Sequence, residues 1–183
     1  MKKFIISMCV ALTALCASAQ QAGDMAVGVN LGVAPSLQSG MSVTNFGIGA
    51  KFQYNVTTPI RLEADLDYWF KSSGVDVFDI TANVHYLFNI TDKIKVYPLV
   101  GIGYAHSGIG VTIEVDDDLK DLMEKYEVES ENTSSSASNF LFNVGAGAEY
   151  ALNDKLSVGA EIKYQYIKNF NRLPITIGVT YKF

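Results

Sequence analysis

Residues 60–70 read IRLEADLDYWF, and they show the alternation of side chains from which the fold class follows. Apolar side chains hold every even position, while Arg61, Glu63, Asp65 and Asp67 hold odd positions. Successive side chains of a β-strand point to opposite faces. The stretch therefore predicts a strand with one apolar face and one charged face.

The same alternation recurs along the chain and indicates eight strands of about ten residues, the length that a tilted membrane strand needs. The connections at 55–59, 89–93 and 152–155 are short, whereas those at 34–45, 71–76, 107–138 and 167–174 are mostly longer. An even number of strands lets the first pair with the last, so that no edge stays open. The pattern predicts an all-β fold, an eight-stranded antiparallel transmembrane up-and-down β-barrel.

The position of the aromatic residues indicates which face points outward. Most of them share the apolar parity and gather near strand ends, as Phe46, Tyr54, Tyr86 and Phe140 do. Two aromatic girdles around an aliphatic band are typical of the two interfaces of a membrane. A soluble, lipocalin-like barrel with its apolar face inside is the alternative, and it leaves the girdles unexplained.

The opposite parity carries charges of both signs and is predicted to line the lumen. Paired charges tolerate such burial, so we expect a network of ion pairs. Its members are Lys51, Arg61, Glu63, Asp65, Asp67, Asp79, Lys95, Glu149, Glu161, Lys163 and Lys182, with Lys71 as a further base. His85 shares this parity and is expected to bond to Asp79 or Thr81.

The first 19 residues have the features of a signal peptide. Lys2 and Lys3 precede an apolar run over residues 4–15, and Ala17 and Ala19 flank a serine in a small-residue cleavage site. We expect cleavage before Gln20, which leaves residues 20–183 as the barrel domain. Both cysteines lie in the removed segment, so no thiolate site is expected.

The predicted long loop at about 107–138 differs from the other connections in its acidic charge. Between Glu114 and Glu131 there are nine acidic residues and two lysines, a local charge of −7, within the predicted long loop at about 107–138. This loop is a candidate for contact with an extracellular partner, and a solvated, variable loop that faces out of the cell is the alternative. Clustered carboxylates also suit calcium, but no spacing here matches an EF-hand loop. With no basic face elsewhere, nucleic acid is not an expected partner.

Two stretches carry a resemblance to a known family. Residues 97–104 read YPLVGIGY, and residues 178–183 read GVTYKF. The chain resembles the small eight-stranded outer-membrane barrels of the OmpA/OmpX type, the porin-like "outer membrane protein beta-barrel domain" group. The resemblance implies the outer membrane of a diderm bacterium, with outer-membrane lipid around the barrel and both termini in the periplasm. It also implies that Tyr181 and Phe183 form the signal read by the barrel-assembly machinery.

The family holds proteins of many roles, so several functions stay open. A structural or surface-interaction protein comes first, and a narrow small-solute channel is the alternative. A lipid-modifying enzyme and a soluble ligand-binding barrel follow. His106 is followed directly by Ser107, so the two side chains should point to opposite faces. We therefore expect no enzyme and no catalytic residue. The chain has two histidines that are not at ligand spacing, so we also expect no metal site and no cofactor.

Overall fold

The computed structural model describes residues 22–37, 43–72, 74–110, 134–168 and 171–183. The predicted signal peptide, with Ala17, Ala19 and Gln20, and the acidic segment lie outside these residues and remain predictions. Among the residues described, no helix is long and apolar enough to cross a membrane.

The described chain is built from β-strands that pair with their neighbours. The strands are β1 (Met25–Pro35), β2 (Thr44–Asn55), β3 (Ile60–Ser72), β4 (Val75–Tyr86), β5 (Phe88–Asn89), β6 (Ile94–Gly110), β7 (Ser134–Ala151), β8 (Leu156–Ile167) and β9 (Ile175–Lys182). All pairings are antiparallel, and β1 pairs with both β2 and β9. The order β4-β3-β2-β1-β9-β8-β7-β6 closes through β4–β6 pairing. The predicted closed barrel is confirmed.

The two-residue β5 continues the line of β4, so the nine segments occupy eight strand positions. β4 and β5 both pair with β6, with His85 opposite Leu99 and Phe88 opposite Val96. By this register Pro98, which has no N–H to donate to a partner strand, lies across from Tyr86, and the interruption at Leu87 follows directly. The Leu87 N–H donates instead to the Pro59 carbonyl at 2.7 Å.

The apolar parity faces outward, as the girdles predict. In β3, Arg61, Glu63, Asp65, Asp67 and Trp69 are buried, while the even-numbered residues between them are exposed. The predicted girdle positions Phe46 and Phe140 are each 67% exposed. A soluble barrel would bury this face and expose the charges, so the lipocalin-like alternative is wrong.

The connections agree with the sequence in most places. The three short turns are confirmed, and we call their side the short-turn end and the opposite side the loop end. The connection predicted at about 71–76 is present but shorter, because β3 and β4 leave only two residues between them and Gly74 turns the chain at φ 85°. β6 and β7 also stay paired to Gly110 and Ser134, so strand pairing extends into the predicted loop at 107–138.

Gly47 shows how tightly the lumen is packed. A Cβ built at this position would lie 2.7 Å from Cδ2 of Trp69, the single tryptophan of the chain. We expect Gly47→Ala to displace the indole and to destabilise the barrel by about 1–3 kcal/mol through overpacking. A change in tryptophan emission together with lower urea resistance would report both effects. Gly159→Ala, whose nearest atom is a carbonyl oxygen at 3.2 Å, is the matched control.

Candidate functional site

The lumen gathers most of the charged residues that alternation assigned to it. Nine of the eleven are buried: Lys51, Arg61, Glu63, Asp65, Asp67, Asp79, Glu149, Glu161 and Lys163. Lys95 and Lys182 are half-buried at the short-turn end, where Lys182 lies 3.5 Å from Asp24. Lys71 is exposed, so its assignment to the lumen is wrong. The register of β3 shifts between Trp69 and Ser72, which breaks the alternation at this position.

The layer nearest the short-turn end is organised by Arg61. Its guanidinium lies 2.7 Å from Glu149 and donates to Nδ1 of His85 at 3.3 Å. The imidazole stacks on the Tyr97 ring with 4.6 Å between centroids and 8° between planes. The Tyr97 hydroxyl then donates to Glu161 at 2.8 Å. The predicted bonds from His85 to Asp79 or Thr81 are wrong, because Arg61 and Tyr97 hold the ring.

The central layer pairs each of two lysines with an acid on a distant strand of the barrel. Lys51 of β2 lies 2.9 Å from Glu161 of β8, and Lys163 lies 2.9 Å from Asp65 of β3. Asn83 donates to the same Asp65 oxygen at 2.9 Å. These pairs connect strands that are not neighbours in the sheet and face each other across the lumen.

The layer nearest the loop end depends on a residue that sequence reasoning missed. Arg172, in the connection between β8 and β9, is fully buried and pairs with Asp79. It also donates to Gln165 at 2.6 Å and lies over the Trp69 ring, 5.1 Å from its centroid. Parity could not find a residue outside the strands. The one available signal was its type, since arginine is the cation best suited to buried ion pairs.

An apolar cluster lies beside Arg172 and fills the loop end of the lumen. Its members are Ala34, Trp69, Val75, Val77, Ala105, Leu141 and Ile167. These residues share the inward parity with the charged ones. The alternation predicted a polar interior and did not show this apolar plug.

The short-turn end is open by comparison. A cavity of about 510 Å³ lies there, lined by turn residues together with Lys95, Glu149 and Lys182. A second cavity of about 10 Å³ shares Glu149 and Thr180 with it and continues inward to Lys51, Tyr97 and Glu161. Within the described residues, the lumen is therefore accessible from one end and filled with side chains at the other.

His106 and Ser107 do not form a pair. The nearest hydroxyl to His106 comes from the neighbouring strand, where Ser138 lies 2.8 Å from Nδ1. His106 and Ser138 are both exposed, whereas Ser107 is half-buried. A cross-strand hydrogen bond of this kind stabilises the β6–β7 pairing.

Comparison with known proteins places this architecture in a family. The structure is similar to Neisserial surface protein A, with a TM-score of 0.68 and 17% identity over 87% of this chain and 97% of that one. It is similar to Ail of Yersinia pestis, with a TM-score of 0.60 and 15% identity over 89% of this chain and 100% of that one. It is also similar to the N-terminal barrel of Pseudomonas aeruginosa OprF, with a TM-score of 0.59 and 17% identity over 90% and 100% of the two chains.

At such low identity these likenesses concern the fold. No curated protein sequence matches the chain. A model of the family described as "Outer membrane protein beta-barrel domain" matches residues 7–183. This chain therefore belongs to the outer membrane protein beta-barrel domain family.

Proposed function

We propose that this protein is a non-enzymatic anchor of the cell surface, a closed barrel that carries its external loops for contact with a partner. The observation that carries the proposal is the plugged loop end, where the apolar cluster and the Arg172–Asp79 pair fill the lumen. An eight-stranded barrel has an interior about wide enough for its own side chains. The filled interior favours an anchor over the narrow channel, the alternative role.

The proposed orientation places both termini and the short turns in the periplasm. Longer connections on the extracellular side are typical of outer-membrane barrels. The acidic segment between Glu114 and Glu131 would then face the medium. The C-terminal Tyr181 and Phe183 would be available to the barrel-assembly machinery before the barrel closes.

The charge of the acidic segment supports a partner of opposite sign. Ail has been solved in complex with the heparin analogue sucrose octasulfate, a polyanion. A segment with nine acids and two lysines would repel such a ligand. We therefore propose a cationic partner, such as a basic protein surface, for this chain.

The test compares the intact protein with a variant that lacks residues 114–131. Binding to immobilised poly-lysine is expected to weaken at least about tenfold in the deletion variant, because the steering charge is removed. Neither protein should bind heparin. A variant with the order of residues 114–131 scrambled keeps the charge and serves as the matched control.

Heat-dependent gel mobility would show that all three proteins form closed barrels. Equal binding of poly-lysine by the deletion variant would contradict the proposal. A reproducible single-channel conductance from the intact protein would favour the channel instead.

A further inference from the structure

Three buried side chains converge in the lumen between the Arg61 layer and the central layer. Glu63, His85 and Glu161 each offer one ligand atom, and these atoms lie within 4.8 Å of one another. Nε2 of His85 is 3.4 Å from Oε1 of Glu63. Among the described residues, Nε2 of His85, Oε1 of Glu63 and Oε2 of Glu161 make no hydrogen bond. Two carboxylates and an imidazole are also a donor set that Zn²⁺ accepts.

The hydrogen bond on the other side of the imidazole prevents His85 from acting as a metal ligand. Nε of Arg61 donates to Nδ1 of His85 at 3.3 Å, and Nη2 of Arg61 lies 3.1 Å from the same atom. A guanidinium has donors only, so Nδ1 must be the unprotonated nitrogen. The neutral ring then carries its proton on Nε2. A metal would need a lone pair at that position, and it would meet an N–H instead.

The carboxylates of Glu63 and Glu161 already lie close to lysine ammonium groups. Lys51 Nζ lies 2.9 Å from Oε1 of Glu161 and 3.4 Å from Oε2 of Glu63. Lys163 Nζ lies 3.5 Å from Oε2 of Glu161. A divalent ion placed between the carboxylates would be repelled by both ammonium groups over a few ångströms.

We propose that Glu63, His85 and Glu161 together bind a single water molecule and reject divalent metal ions. The three residues present one donor, the Nε2–H of His85, and two carboxylate acceptors, those of Glu63 and Glu161. A water molecule accepts one hydrogen bond and donates two, so it satisfies all three. The neighbouring cavity of about 10 Å³, lined by Glu161, Lys51 and Tyr97, has about the volume that one water requires.

The same cavity defines the route by which water reaches this site. It shares Glu149 and Thr180 with the large cavity at the short-turn end. At the loop end, the apolar cluster around Trp69 blocks access. Solvent that enters from the short-turn end therefore reaches Glu161, which lines this cavity and belongs to the site. This inference concerns the lumen and does not depend on any partner at the outer loops.

The chain is well suited to a direct test, because it has only two histidines. The intact barrel carrying His106→Gln, labelled with ¹⁵N-histidine and folded in detergent micelles, gives NMR signals from His85 alone. We expect a protonated Nε2, an unprotonated Nδ1 and a cross-peak between the Nε2 proton and water. Equimolar Zn²⁺ should leave both nitrogen shifts unchanged.

The matched His85→Gln variant keeps His106 and reports any Zn²⁺ that binds to the exterior. A Zn²⁺-dependent shift at His85 that Glu161→Gln abolishes would overturn the proposal in favour of a metal site. A proton on Nδ1 or a missing water cross-peak would also overturn it. Heat-dependent gel mobility of each variant ensures that every spectrum comes from a closed barrel.

Discussion

Replacing Lys163 with methionine is expected to lower the free energy of unfolding by about 3–5 kcal/mol. Lys163 is buried and lies 2.9 Å from Asp65 and 3.5 Å from Glu161. Methionine keeps much of the side-chain volume but leaves these carboxylates without one of their cations. Removing one member of a buried ion pair leaves an uncompensated charge, which is the costly case. Urea unfolding in phospholipid vesicles, followed by the fluorescence of Trp69, measures the change.

A double variant separates the value of the pair from the cost of breaking it. Lys163→Met combined with Asp65→Asn removes both charges, and Glu161 keeps its contact with Lys51. We expect the double variant to be more stable than Lys163→Met alone. Lys168→Met changes an exposed lysine one residue beyond β8 and should cost less than about 0.5 kcal/mol. A cost below about 1 kcal/mol for Lys163→Met would show that the lumen screens these charges far better than their burial indicates.

Arginine in place of Leu66 is expected to destabilise the barrel by about 2–4 kcal/mol in vesicles. Leu66 lies near the middle of β3 on the outward face, where it is 48% exposed. The guanidinium of an arginine at the bilayer midplane loses its hydration, and the hydrocarbon around it offers no charged or polar partner in exchange. The same urea titration in vesicles gives the free-energy change.

The control for this prediction is Ile90→Arg. Ile90 is 61% exposed in a short turn, and a charge near the interface should cost only about 0–1 kcal/mol. Equal effects of the two substitutions would mean that the outward face at Leu66 is not in contact with lipid.

Much of the fold could be predicted because each barrel strand alternates apolar and polar or small side chains with a period of two residues. The stretch around Asp65 establishes which parity is inside, and closure then follows from the even number of strands. The errors occur where a tertiary contact overrides the alternation. The register shift after Trp69 leaves Lys71 exposed, and the pairing of Ser72 with Val75 shortens the connection predicted at 71–76.

The sequence predicts most of the residues that line the lumen, but not which of these residues pair with each other. Parity identified Glu161 and Lys51 as inward-facing residues, but no local pattern shows that they meet across the barrel. Arg172 was missed because its burial depends on a connection folding into the loop end. His85 was assigned to the correct face with the wrong partners, since its distance to Arg61 depends on how β3 and β4 align.

The pairing of β1 with β9 has a consequence for the order of events in folding. Val29 lies opposite Val179, so the contact that seals the barrel joins positions 150 residues apart. Every intermediate that lacks this contact carries two unpaired strand edges, which hydrocarbon cannot hydrate. Contacts between such distant positions form slowly because the chain between them must first be ordered. Insertion and sealing should therefore be a late, concerted step, and a chain stalled before β9 would expose edges prone to aggregation.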